Sequence, residues 1–313
     1  MKNSTLLGLF CLLFTFQSYS QISIAPRHIG RLSRFENNEL SKFKNTETIF
    51  VLSSFYSKDV YEKILKESWT VTPFKVVNLE DFEQKDYFSS QYSIVAIGGL
   101  TRTVESTKMS TVSTYVYVDF KIYDGENIRK EVGELSSKIG KKKRKKKTAI
   151  IKYNNTYNIA RFYLFPKKVY VFRDEGIDNN EIYTDDVFFN YTPGFLKNYF
   201  QKINSLIENN ESYWMYEKEY LPALKALAKK PLYIPSYISI KYNGVKEENE
   251  ERDHEYIDAM FKKYDYDYTI ISDQELSDKI MKNEEEFYYL RYARENVERF
   301  LQVVNSRTGE VVY

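Results

Sequence analysis

Seven consecutive cations, Lys141-Lys142-Lys143-Arg144-Lys145-Lys146-Lys147, are the residues whose type and spacing most directly specify a chemistry. So dense a run cannot be buried unpaired, and what it can do is attract polyanions. We read residues 138–147 as an exposed basic loop. Lys141, Lys142, Lys143, Arg144, Lys145, Lys146 and Lys147 are then a candidate binding surface for anionic lipid or glycan. The alternatives are a solvated loop that keeps the chain soluble, and a pairing with the acidic stretch 247–255.

Catalytic chemistry is harder to assemble. A Ser-His-Asp relay needs a histidine, and the chain has only two. His28 lies near the start and His254 within the acidic stretch, neither has an evident serine partner, and no Gly-x-Ser-x-Gly elbow occurs. The single cysteine, Cys11, sits inside an N-terminal apolar run, which excludes thiolate catalysis. His254 and Asp258, at i and i+4, have metal-ligand spacing, but a helix this rich in charge produces such pairs as a solvated face. Asp185, Asp186, Asp265 and Asp267 stand among aromatics, as glycoside hydrolysis by two carboxylates would require, although this tyrosine content also yields that pattern by chance. Gly98-Gly99 lacks the glycine-rich strand-to-helix turn of a phosphate site. The expectation is no catalytic residue, no metal, no cofactor and no enzyme, with a hydrolase of unrecognised carboxylate pair kept as an alternative.

The elements that position these residues begin after a secretory signal. Lys2 supplies a positive n-region, residues 6–16 an apolar run, and Ser18-Tyr19-Ser20 small residues for cleavage before Gln21. Export to the periplasm or the outer-membrane periphery follows, and it argues against a nucleic-acid partner. The mature chain has no cysteine, so packing must hold it, and 29 Tyr and 21 Phe against 11 Gly describe a strand-rich core. The formal net charge of +2 hides segregation: residues 138–147 hold eight cations and no acid, leaving the rest of the mature chain at about −7.

Hydrophobic periodicity predicts an α/β (α+β) fold of two similar β-α-β-α-β-β units. After an N-terminal segment, 21–45, the first unit covers 46–190: strand 46–54, helix 57–69, strand 73–77, a short acidic helix 79–83, and paired strands 93–105 and 113–124. Further strands are expected at 149–152, 159–165 and 169–172. The second unit, 232–313, repeats the order with strand 232–240, a charged helix 248–264, strand 266–271, helix 273–281, and strands 286–295 and 297–313. Asn78 and Ser272 occupy equivalent positions where a side-chain oxygen can cap the following helix. Asp124-Gly125 and Thr308-Gly309 mark comparable turns. A helical connector, 191–231, joins the units through a helix starting at Thr192 or Pro193, with a core stripe of Phe195, Leu196, Tyr199, Phe200, Ile203 and Ile207, and a second helix at 216–228.

The closing stretch, Phe300-Leu301-Gln302-Val303-Val304-Asn305-Ser306-Arg307-Thr308-Gly309-Glu310-Val311-Val312-Tyr313, resembles the terminal hairpin of envelope proteins related to the curli-secretion lipoprotein CsgG and the TolB amino-terminal domain. The first unit keeps only Asp124-Gly125-Glu126 of that turn. The resemblance implies an α/β domain used for assembly with an envelope protein partner, and carries over no catalytic residue. The Ser20-Gln21 junction and the Tyr/Asn/Lys-rich style also resemble exported proteins of Bacteroidota. The function expected is an exported, non-enzymatic structural or interaction protein of the bacterial envelope. Peripheral attachment to anionic lipid or glycan through the basic residues is the alternative.

Overall fold

The computed structural model describes residues 21–28, 33–36, 38–105, 110–136, 138–167, 179–214, 225, 227–243, 248–251, 254–295 and 298–312. The expected signal, Cys11, strand 169–172 and most of helix 216–228 lie outside them. The fold is α/β, built on two mixed sheets.

The first sheet contains β1 (Ile22–Ile24), β2 (Glu47–Val51), β3 (Phe74–Val77), β4 (Tyr92–Glu105), β5 (Ser110–Tyr123) and β6 (Thr156–Tyr163), in the order β1-β6-β5-β4-β2-β3. The second contains β7 (Leu232–Pro235), β10 (Tyr268–Ile271), β11 (Tyr288–Glu295) and β12 (Glu298–Asn305), in the order β10-β7-β11-β12. In the first, β2 is parallel to β3 and β4, and β4 is antiparallel to β5. In the second, β7 is parallel to β10 and β11, and β11 is antiparallel to β12. Four strands of each sheet therefore share one order and one set of directions.

Helices α1 (Glu39–Lys44), α2 (Lys58–Ser68), α3 (Gly125–Gly133), α4 (Lys141–Asn154), α5 (Asn179–Thr184), α6 (Pro193–Glu208), α7 (His254–Phe261) and α8 (Asp273–Lys282) complete the described structure, with a small hairpin of β8 (Ile240–Asn243) and β9 (Glu248–Glu251). The centre is α6, with Pro193 at its first position, where a missing N–H costs nothing. Its stripe Phe195, Leu196, Tyr199, Phe200, Ile203 and Ile207 is fully buried. α6 packs against α2 on one side and α8 on the other. One apolar cluster consequently runs from Phe50, Val118 and Phe162 through α6 to Leu276, Tyr289 and Val304. Gly194 permits the approach to α8: a Cβ there would meet the Ser277 backbone at 2.8 Å, and its N–H donates to Ser277 Oγ at 3.0 Å.

Several local expectations are corrected. The stretch 248–264 is not one helix, because β9 pairs with β8 and only α7 is helical. Phe261 is buried there, while Met260 points to solvent. The segment after Pro235 turns through a short 3-10 helix, Ser236–Ser239, instead of extending the strand. Ser272 does form a capping box with Glu275, but Asn78 makes no side-chain cap, and only a 3-10 turn, Leu79–Asp81, follows it. Asp124-Gly125 does not form a hairpin turn: Asp124 accepts from the Asn127 N–H at 3.0 Å and opens α3. Gly309 takes φ 72° as the terminal turn demands, and a Cβ there would lie 2.3 Å from the Asn198 carbonyl of α6.

Candidate functional site

The basic run is not a loop. Residues 141–147 form the first half of α4, and residues 149–152, expected as a strand, form its second half. Lys and Arg are good helix formers, and a run of them needs no buried face if solvent takes the charge. α4 is held by few side chains. Ile151 is buried, and Arg144 is half-buried, donating to the Leu135 and Val132 carbonyls at 3.2 and 3.4 Å at the end of α3. Lys152 places its Nζ 4.1 Å over the Phe88 ring. Lys141, Lys142, Lys143, Lys145, Lys146 and Lys147 are exposed. So are two apolar side chains further along, Ile150 at 50% and Tyr153 at 81%. At 100° per residue, Lys142, Lys146, Ala149 and Tyr153 fall on the face opposite Ile151, flanked by Lys143 and Ile150. The helix is electrostatically strained in isolation. Lys141/Lys145, Lys142/Lys146 and Lys143/Lys147 are like-charge pairs at i and i+4, and the first member of each stands in the first turn, at the positive end of the helix dipole.

A second cluster is invisible in the sequence. On β5, Val116, Val118, Phe120 and Ile122 enter the core, so strand alternation sends Tyr117, Asp119, Lys121 and Tyr123 to the other face of the sheet. Register places Arg161 of β6 beside Asp119, and Ser23 of β1 beside Arg161. Arg161 grips Asp119 with two hydrogen bonds, Nε to Oδ1 at 2.5 Å and Nη2 to Oδ2 at 2.9 Å, while Lys121 Nζ lies 2.8 Å from Oδ2. The guanidinium also lies 3.4 Å from the Tyr117 ring centroid. Burial pushes the Asp119 carboxyl up, but Lys121 and Arg161 outweigh it and hold the group below its usual value. His28 closes the cluster, with Nδ1 3.1 Å from Ser23 Oγ and Nε2 buried with no hydrogen-bond partner among the described residues. Burial first, and the Arg161 charge second, lower its pKa to about 3, so this imidazole is neutral at any physiological pH. The imidazole is thus neutral and buried beside a carboxylate that already holds two cations.

The carboxylates separate. Asp185, Asp265 and Asp267 are exposed. Asp186 pairs with Lys167 at 2.5 Å. Asp273, which sequence reading passed over as a helix start, is the more unusual acid: burial raises its pKa, partly offset by a backbone hydrogen bond from Tyr237, and the Asp186 charge adds a smaller push. Nearby phenols are neutral hydroxyls, Tyr191 being pushed up to about 12 by burial. The side chain of His254 lies outside the described residues, and among those described no three metal-ligating groups converge. Gly98 lies within β4, where its missing Cβ leaves room for the Tyr117 ring. No described helix is long and apolar enough to cross a membrane. Comparison of the chain with family models, with curated proteins and with solved structures finds no match.

Proposed function

We propose that the chain is an exported, non-enzymatic interaction protein of the bacterial envelope that attaches peripherally to an anionic, phosphate-bearing membrane surface through α4. The observation that carries this reading is the exposed face of α4: lysines in the first two turns, then Ile150 and Tyr153 open to solvent. A basic helix with apolar side chains beside its cations has the composition of an interfacial helix. Each cation near such a surface contributes about 1 kcal/mol, and the like-charge repulsion within α4 is relieved in the same step. The shared strand order of the two sheets supports a duplicated scaffold behind that contact, with an envelope protein as its further partner.

Co-sedimentation of the mature protein with phosphatidylglycerol vesicles, against phosphatidylcholine vesicles, tests the attachment. Binding should need the anionic lipid and weaken with salt. Replacing Lys142, Lys143, Lys145 and Lys146 by Gln removes about 1 kcal/mol each, on the order of a hundredfold or more in affinity. Equal pelleting with both lipids, or unchanged binding of the variant, sinks the reading. A second reading rests on Asp273 and Asp186, a raised acid and a lysine-paired carboxylate. If these formed a glycoside-cleaving pair, turnover of simple glycosides would disappear in Asp273→Asn.

A further inference from the structure

The carboxyl ends of parallel strands from both sheets come together at one junction. β2 ends at Val51 and runs through Ser53-Ser54-Phe55-Tyr56 into α2, while β7 and β10 end side by side at Pro235 and Ile271 and lead to Ser236 and to Asp273 at the start of α8. Residues 183–191 bridge the two ends. The Tyr183 carbonyl accepts from the Ser54 N–H at 2.6 Å, and the Tyr191 hydroxyl accepts from the Ser53 N–H at 3.2 Å. On the other side Phe189 stacks on Tyr237, with ring centroids 5.4 Å apart. In open α/β sheets ligands bind outside the carboxyl ends of the strands, where the loops part.

Phe55 is 40% exposed, and its ring lies 4.7 Å from that of half-buried Tyr56. Asp186 is exposed and pairs with Lys167, whose Nζ lies 5.9 Å over the Phe189 ring. Ser236 Oγ donates to Asp273 Oδ1 at 3.4 Å. The Asp186 charge acts on both Tyr56 and Asp273, which ties the two ends together. The chemistry differs from that of α4. Lys167 and Asp186 cancel each other's charge and burial disfavours ionisation of Asp273, so nothing here selects a polyanion. Instead an exposed ring stands beside a lysine that donates, carboxyl groups that accept and a hydroxyl that does both. A pyranose has the matching surface: its C–H face packs on the negative face of an aromatic ring, and the hydroxyls around its rim pair with carboxylates in charge-assisted bonds. We propose that this junction binds an uncharged pyranose-based glycan, with Phe55 and Tyr56 as the stacking surface and Lys167, Asp186, Ser236 and Asp273 as the hydrogen-bonding rim. The inference is independent of attachment through α4 and requires no cleavage by Asp273 and Asp186.

Titration of the mature protein with cellohexaose and with chitohexaose, followed by calorimetry, tests this. At least one should bind. Phe55→Ala, at an exposed position, should weaken binding about tenfold, and Asp186→Asn by a similar factor. The variant with Lys142, Lys143, Lys145 and Lys146 replaced by Gln should bind the sugar as the parent does. Failure to bind either hexaose, or unchanged affinity in Phe55→Ala, overturns the proposal. Sugar bound and recovered intact supports it and refutes the glycoside-cleaving reading, whereas sugar bound and then cleaved supports both.

Discussion

His28 should make this protein lose stability as pH falls well before any carboxylate in its network titrates. The unfolded imidazole takes up a proton near its ordinary pKa of 6.5, whereas the folded one does so only at about 3. Between those values the unfolded state binds one proton more than the folded state. The folded pKa is depressed, so the contribution is complete above the unfolded pKa and is lost as pH falls, at about 1.4 kcal/mol per pH unit. The groups facing His28 are Arg161 and Lys121, which oppose its protonation, and Asp119, which favours it but is already committed to both cations. Urea unfolding at pH ~7.5 and ~4.5 should show roughly 2–3 kcal/mol of acid loss from this residue. In His28→Gln that loss should disappear, while the contacts of Asp119 with Arg161 and Lys121 remain. Only the difference between the two pH values is compared, so a lower starting stability in the variant does not enter. Equal pH dependence in both proteins would refute the reasoning and mean that the imidazole is open to protonation in the folded state.

Asp119→Asn should cost about 3–5 kcal/mol, because it leaves Arg161 buried without a counter-charge, and Asp119→Leu with Arg161→Met should recover much of the loss; chemical denaturation of both variants checks this. Gly309→Ala should destabilise by more than the 1–2 kcal/mol or so of left-handed backbone strain, since its Cβ would also strike the Asn198 carbonyl, and the melting temperature reads the result. Helicity measured by circular dichroism should rise on adding phosphatidylglycerol vesicles if repulsion frays α4 in water, and should not rise in the Lys142, Lys143, Lys145, Lys146 to Gln variant.

The sequence made some elements plain and hid others for physical reasons. The α6 stripe is legible because six apolar residues at helical spacing, behind a proline, have no other way to be buried together. The Ser272 cap is legible because the oxygen and its N–H target are neighbours in sequence. α4 was hidden by its own charge, since a run of cations gives no amphipathic period, and the three side chains that hold it, Arg144, Ile151 and Lys152, find their partners on α3 and the segment before β4. The stretch 248–264 was misread because its acids suit a helix as well as an edge hairpin, and only the pairing with β8 decides. Tyr117-Val118-Asp119-Phe120-Lys121 reads as an ordinary strand with a wet face. That face is closed by His28 and Arg161, residues 91 and 42 positions away from Asp119, and a sequence read segment by segment does not show such a meeting. Asp273 was likewise passed over because a helix-starting acid is commonplace, and its contacts with Ser236 and the Tyr237 backbone come from another element.

The enclosure of α6 by both sheets decides how the molecule can come apart. A helix that lends Phe200 to one sheet and Phe195 to the other cannot leave either without exposing both. The two halves, though each has the strands of a complete unit, should therefore melt in a single transition, and neither should persist when expressed by itself. Lengthening a loop inside one half would be tolerated more readily than moving the boundary between them, because the seam of this protein is its core.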